Sequence, residues 1–181
     1  MVLVVLALLC VLSVPLRGGK LGRLAGLRLR AEWAAVGALA GQVFVLGLFA
    51  GGSASWHAVG HVATYGLAAW FVWANRALPG MVLLALGGAS NVAAILANDG
   101  VMPTSAWAER AAGLEPSAVF ANSAVLDRPH LLWLGDVLPL PLPFGLSNVL
   151  SLGDLLIYAG ALVLLQSTCV TKRPVLPATV S

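Results

Sequence analysis

The chain has 181 residues, of which 60% are hydrophobic and 9% are charged, whereas a soluble domain carries about 25% charged residues. This composition excludes an ordinary soluble globular domain, because the interior could not hold so many apolar side chains. The net charge of +3 comes from basic residues in short stretches beside apolar runs, which does not indicate nucleic-acid binding.

Long uncharged runs predict an all-α integral membrane protein, since the alternating pattern of a transmembrane barrel is absent. We expect a single membrane domain, residues 1–181, with a bundle of about five transmembrane helices. The predicted spans cover about residues 2–16, 33–50, 56–74, 79–97 and 154–170, and a long structured extracytoplasmic loop covers residues 98–153.

The first apolar run is expected to be retained rather than cleaved as a secretory signal. No Lys or Arg precedes it, whereas a secretory signal begins with a positive stretch. Five basic residues follow within residues 17–31, and they either bind lipid headgroups or simply mark a cytoplasmic loop. The two cysteines, Cys10 and Cys169, have no partner at metal-ligand spacing and are interpreted as buried apolar residues.

Small residues four apart in the second and fourth spans predict close helix packing, because they lie on one helix face and let a neighbouring backbone approach. Gln42 lies near the middle of the second span and is expected to hydrogen-bond to another helix. The predicted packing residues are Gly37, Gly41, Gly47, Gly51, Ala85, Ala89 and Ala93.

The third span carries His57 and His61 four residues apart, so they share one helix face. That spacing suits a pair of metal or haem ligands. It is also common by chance, and no third ligand lies nearby in sequence, so hydrogen bonding inside the bundle is the alternative interpretation. We therefore predict no cofactor and no metal site, with these two histidines as the only metal candidates.

The loop that begins at residue 98 is expected to have structure of its own. Thr104 or Ser105 can cap a short helix that Gly113 ends, and Pro116 can start a second helix through about Val125. Prolines then alternate with apolar residues, which forbids a helix and predicts an extended path. These prolines are Pro139, Pro141 and Pro143.

The charge distribution predicts the orientation in the plasma membrane, with the N-terminus outside and the C-terminus in the cytoplasm. Eight basic residues fall on the inner side of the five-span topology and two on the outer side, in agreement with the positive-inside rule. The inner residues are Arg17, Lys20, Arg23, Arg28, Arg30, Arg76, Lys172 and Arg173, and the outer ones are Arg110 and Arg128.

This topology brings polar residues from separate parts of the chain to the outer surface. They could form a small-molecule, lipid-headgroup or cation site, because polar groups at that depth must be paired or hydrated. Alternatively, each aspartate only caps a helix or a turn, a position that Asp favours. The candidate ligand-binding residues are Asp99, Asp136, Asp154, Asn98, His61 and Asn91; no catalytic residue can be named.

Three short motifs resemble the signature of a family of small bacterial multi-pass membrane proteins of unknown function. They are Asn98-Asp99-Gly100-Val101-Met102-Pro103, Leu134-Gly135-Asp136 and Ser151-Leu152-Gly153-Asp154. The resemblance implies the five-span layout but no activity, substrate or cofactor. The family often has a small residue at the position of Asp99, so the resemblance draws attention to Asp136 and Asp154.

Three functions fit the sequence. The first is a non-enzymatic subunit or accessory protein of a membrane complex, which contacts other subunits through its small-residue faces. The second is an extracytoplasmic binder or enzyme that uses the outer acidic cluster. The third is a small transporter, which fits least because no carboxylate or lysine lies mid-membrane. No nucleophile motif, phosphate-binding glycine loop or strong zinc signature occurs in the sequence. The sequence therefore does not determine whether the protein is an enzyme.

Overall fold

The computed structural model describes residues 2–47, 54–115 and 123–171 and is mostly helical. Two short 3-10 helices, Leu21–Gly26 and Leu132–Leu134, lie outside the regular elements. The α-helices are α1 (Val2–Leu16), α2 (Glu32–Gly47), α3 (Ala54–Ala74), α4 (Met81–Leu96), α5 (Ala106–Ala111) and α6 (Leu152–Cys169). The strands are β1 (Met102–Pro103), β2 (Ser123–Ala124), β3 (Asp136–Leu140) and β4 (Asn148–Ser151).

The five long helices lie where the apolar runs predict them, and each described end is within two residues of the predicted one. The predicted end of the second span, residues 48–50, lies outside the described residues. Over the described ranges, α6 alone is long and apolar enough to cross a membrane, while the apolar stretches Val4–Leu16 and Met81–Leu96 are shorter. Five membrane crossings therefore stay a prediction.

Helices α4 and α6 pack antiparallel with their backbones in close contact. A Cβ atom added at Gly87 would lie 2.5 Å from the Gly153 carbonyl oxygen and 2.9 Å from the Ile157 nitrogen. Gly80 has φ +88° and faces the Gly160 carbonyl, so it needs both the conformational freedom and the missing side chain of glycine. The helices can approach this closely only because glycines line the contact.

Of the predicted small-residue faces, the one on α2 packs against α3, whereas the one on α4 is exposed at Ala85 and Ala89. On α2, a Cβ added at Gly41 would lie 2.5 Å from Thr64 Cγ2 of α3, and Gln42 Nε2 donates a hydrogen bond to Thr64 Oγ1 at 2.8 Å, as expected for a link between helices. On α4, Ala85 and Ala89 are exposed, because the glycines face α6 instead. Packing of these alanines against another chain stays a prediction. Gly51 and the surroundings of Gly47 lie outside the description.

One end of the bundle collects the described basic residues of the predicted inner loops. Arg23 Nη1 donates to the Cys169 carbonyl at 2.8 Å, which joins the segment after α1 to the end of α6. The Asn75 side chain exchanges two hydrogen bonds of 2.8 Å with the backbone of Arg30, which joins the end of α3 to the start of α2. Cys169 is buried, as expected, and Cys10 is partly buried.

The described part of the loop at the opposite end folds into a small layer, here called the outer layer (residues 98–115 and 123–151). Strand β1 pairs in parallel with β2, and β3 pairs antiparallel with β4, with Asp136 opposite Ser151. A single parallel bridge between Thr104 and Asp136 connects the segment after β1 to β3. Asp136 therefore lies where the two sheets meet.

The predictions for this loop are partly correct. Ser105 Oγ caps α5 by accepting the Ala108 N–H at 3.4 Å, and Gly113 follows the helix with φ +74°. The predicted extended path is confirmed at Pro139, within β3. The predicted second helix is wrong at its end, because residues 123 and 124 pair as β2; its earlier residues, 116–122, are not described.

We predict that Gly87→Ala destabilises the protein and that Gly88→Ala does not. Both changes raise helix propensity equally, but only Gly87 faces α6, while nothing lies within 4 Å of a Cβ at Gly88. Overpacking of this kind costs about 1–3 kcal/mol. Thermal unfolding in detergent, followed by tryptophan fluorescence, measures both variants; equal Tm values would show that the contact does not limit stability.

Candidate functional site

A cavity of about 160 Å³ opens in the outer layer between α5 and the strands β2, β3 and β4. Three carboxylates line it: Glu109 from α5, Glu115 from the segment after α5, and Asp136 from β3. Glu109 is buried and Glu115 is exposed, so the negative charge extends from the floor of the cavity to its rim. Among the described residues that line the cavity, none is basic.

Asp136 is held in place by its backbone on both sides. Its carbonyl accepts the Ser105 N–H at 2.9 Å, and it pairs with Ser151 across the sheet. Gly135 precedes it and lies against the Pro103 carbonyl, where a Cβ atom would collide. The Leu-Gly-Asp motif therefore combines a close backbone contact with a carboxylate at the cavity wall.

Burial raises the pKa of the Asp136 carboxyl from its usual 3.8 to about 7, and the negative charge of Asp154 adds to this effect. A hydrogen bond from Ser123 lowers the pKa in part, and Glu109 raises it slightly. The carboxyl consequently changes charge near neutral pH, whereas an exposed aspartate is ionised throughout that range.

Thr104 lines the same cavity and is only 5% exposed. Its hydroxyl is close enough to Asp136 to lower the pKa of that carboxyl a little. The geometry does not complete a hydrogen bond, however, and Oγ1 is buried without a partner. A buried hydroxyl in this state costs roughly 1–3 kcal/mol, so the cavity contains an unsatisfied polar atom beside its carboxylates.

A second polar cluster lies beside the cavity, at the start of α6. Asn91 Nδ2 donates to Asp154 Oδ1 at 2.9 Å, and Ser151 Oγ donates to Asn91 Oδ1 at 2.9 Å. Ser151 and Asp154 also form a capping box, in which each side chain accepts the other's backbone N–H. The structure thus brings together Asn91 and Asp154, as the sequence predicts, and places Asp136 next to them in the sheet register.

Asn98 and Asp99 are not among the residues that line the cavity. Asn98 is buried, and its side chain exchanges hydrogen bonds with the His130 backbone at 2.7 and 2.8 Å. Asp99 is exposed, has φ +55° and occupies a turn with Gly100, which matches the turn interpretation. His57 and His61 belong to α3, but their side chains are not described.

The sequence analysis missed Glu109 and Thr104 as cavity residues. Glu109 reads as an ordinary outer acid in a short capped helix, and Thr104 as a possible cap. Glu109 and Thr104 lie near Asp136 only because β3 pairs with the segment that follows β1. A pairing over about thirty residues leaves no local signal in the sequence.

Comparison with known proteins identifies the family to which the chain belongs. The model of a family of unknown function (DUF5317) matches residues 26–166. The chain belongs to this family. A Thermotoga maritima protein described as uncharacterized is 32% identical to this DUF5317 member over 93 residues, which is 51% of this chain and 54% of the relative. The chain thus spans about half the length of that curated relative. No solved structure matches the chain.

The raised pKa of Asp136 predicts that the folded protein loses stability as the pH rises. The folded state holds the proton up to about pH 7, whereas the unfolded chain releases it near 3.8. The stabilising contribution is therefore complete below pH 3.8 and is lost as the pH passes through 7, by on the order of 2–4 kcal/mol.

Asp136→Asn removes this ionisation, so it should raise Tm relative to the wild type, and the increase should be larger at pH 8 than at pH 5. Asp99→Asn, which removes an exposed outer acid, is the matched control. Thermal unfolding between pH 5 and 8 measures the difference. The same pH dependence in the wild type and in Asp136→Asn would contradict the assignment.

Proposed function

We propose that this DUF5317 protein is a multi-pass protein of the bacterial plasma membrane whose outer layer binds a small cationic ligand in the cavity at Asp136. The observation that carries the proposal is the lining of this cavity, which has three carboxylates and, among its described residues, no basic side chain. A partly buried carboxylate cluster attracts positive charge more strongly than a fully exposed one, because water screens it less.

The surface of the helices supports the membrane assignment. On α2, large apolar side chains are exposed at Trp33, Val36, Leu39 and Val43, which follow one another at helical spacing along one face. A continuous apolar face of this kind is costly in water and favourable in lipid. Similar exposed residues occur on α1, at Val4, Leu8, Leu12 and Leu16.

The charges at the two ends of the bundle support the proposed orientation. The basic residues around Arg23 and Arg30 lie at one end, and the acidic outer layer lies at the other. The positive-inside rule assigns the basic end to the cytoplasm. The cavity then faces the extracytoplasmic side, where its ligand would arrive.

Single cysteines test this orientation in a variant that lacks Cys10 and Cys169. Phe144→Cys lies in the outer layer at a residue that is 96% exposed, and Ala25→Cys lies in the exposed basic segment. We expect a membrane-impermeant thiol reagent to label Phe144→Cys in intact cells and Ala25→Cys only after the membrane is opened. Labelling of both in intact cells, or the reverse pattern, would overturn the orientation.

Ligand binding is tested with a panel of small cations on the purified protein in nanodiscs at pH 8. The panel contains K⁺, Mg²⁺, Ca²⁺, guanidinium and simple alkylammonium ions. At least one should raise Tm of the wild type and of Asp99→Asn, while Asp136→Asn should bind it about tenfold more weakly, the loss of one charge-assisted contact. Absence of any Asp136-dependent binding would refute the proposed function.

A second candidate function is a subunit of a membrane complex. It is favoured by Ala85 and Ala89, which form a small-residue face on α4 that is exposed in the single chain. Such faces suit close packing against another membrane helix. A native mass spectrum of the protein from its own membrane distinguishes the two functions, since a stoichiometric protein partner supports the subunit and a lone chain with a small ligand supports the cavity.

A further inference from the structure

We infer that the cavity ligand is an organic monocation with a primary ammonium group and a short apolar part. Its ammonium would lie between Asp136 and Thr104, and its apolar part would lie against Leu114 and Val149. This inference rests on the proposed function, which requires a cation but does not specify its chemistry.

The donor set favours an ammonium over a chelated metal ion. In the described ranges, no group of three or more His, Cys, Asp and Glu side chains is arranged to hold a metal. A calcium ion needs six to eight oxygen ligands, and magnesium needs a near-octahedral shell. A primary ammonium needs only three acceptors, which the carboxylates and a hydroxyl can supply.

Thr104 identifies where the ligand would hydrogen-bond. Thr104 lines the cavity with Asp136, and its Oγ1 is buried without a partner. Native proteins leave few such atoms unpaired, and an unpaired one often marks the place of a missing water, ion or ligand. An N–H group of the ligand would donate a hydrogen bond to this hydroxyl oxygen. The positive charge of the ligand would be neutralised by the Asp136 carboxylate.

The apolar residues of the lining determine the rest of the ligand. Leu114 and Val149 line the cavity and pack on Ala108 and Ala112, which are buried in the small core of the outer layer. The volume of about 160 Å³ is similar to that of an apolar cavity of about 150 Å³ that accepts benzene. A ligand of about four to six non-hydrogen atoms with one charged end and one apolar end therefore fits.

Binding of this cation would release a proton near neutral pH. The ammonium pairs with the ionised Asp136, and the carboxylic acid gives its proton to the solvent as the ligand enters. The charged groups that face Asp136 are Asp154 on α6 and Glu109 on α5, and both raise its pKa. Affinity should therefore rise up to about tenfold per pH unit between pH 5 and 7 and then level off.

Isothermal titration at pH 8 in nanodiscs tests the inference with n-propylammonium, tetramethylammonium and Ca²⁺. Tetramethylammonium carries the same charge as n-propylammonium but has no N–H donor. We expect n-propylammonium to bind at least about tenfold more tightly than the other two, because it alone can satisfy both Asp136 and Thr104.

Thr104→Val is the decisive variant, because valine has nearly the shape of threonine without the hydroxyl. It should weaken n-propylammonium about fivefold or more, leave tetramethylammonium unchanged and raise Tm of the ligand-free protein, since it removes the unpaired hydroxyl. A lower Tm would indicate a folding defect; the ligand series on the wild type then decides the question without the variant.

The possible outcomes separate the inference from the function on which it rests. If Ca²⁺ or another metal ion binds through Asp136 and n-propylammonium does not, the cation site stands and the ammonium inference is wrong. If n-propylammonium and tetramethylammonium bind equally and Thr104→Val changes neither, the inference is also wrong. If no cation binds the wild type, both fail.

Discussion

The three-residue hydrogen-bond network of Asn91, Ser151 and Asp154 fixes the geometry on which the outer layer depends. It joins α4 to the first turn of α6 and determines the residue at which α6 begins. Ser151 is completely buried and is also the last residue of β4, opposite Asp136. One side chain from α4 thereby positions the helix start, the strand end and the cavity carboxylate together.

Close backbone contacts allow this network to form. Gly153 lies directly against the Asn91 side chain, and Gly135 lies against the Pro103 carbonyl, so any larger residue would separate the elements. The glycines of two of the three sequence motifs are explained by these contacts. The polar residues that accompany them, Asp136 and Asp154, occupy different environments, one at a cavity wall and one in a helix cap.

Much of the helical framework could be predicted from the sequence, because long apolar runs and capping residues are local signals. Ser151 and Asp154 fit the preferences for helix starts and form the cap, and Gln42 makes its interhelical bond. Strands β1 and β2 could not be predicted, since they have two residues each and no detectable alternation. The contact between α4 and α6 uses Gly87, which the four-residue spacing of the alanines did not identify, because spacing alone does not distinguish a face that contains Ala85 from one that contains Gly87.

The candidate site could also be predicted only in part. Asp136 was identifiable as a polar residue of the predicted outer loop, and its proximity to Asp154 followed from the topology. Glu109 and Thr104 depend on long-range strand pairing, which no local pattern encodes. The distinction between Asp99 in a turn and Asp136 in a cavity also requires burial, since both are aspartates beside glycine in the same loop.

The reciprocal hydrogen bonds of Asn91, Ser151 and Asp154 constrain how the sequence can evolve at these positions. Each side chain satisfies the others, so replacing one leaves a buried polar atom of another unpaired. The three positions are thus constrained to change in concert, and double replacements should be far from additive. In a lineage of related sequences, this trio would vary as one unit while the exposed residues around it drift independently.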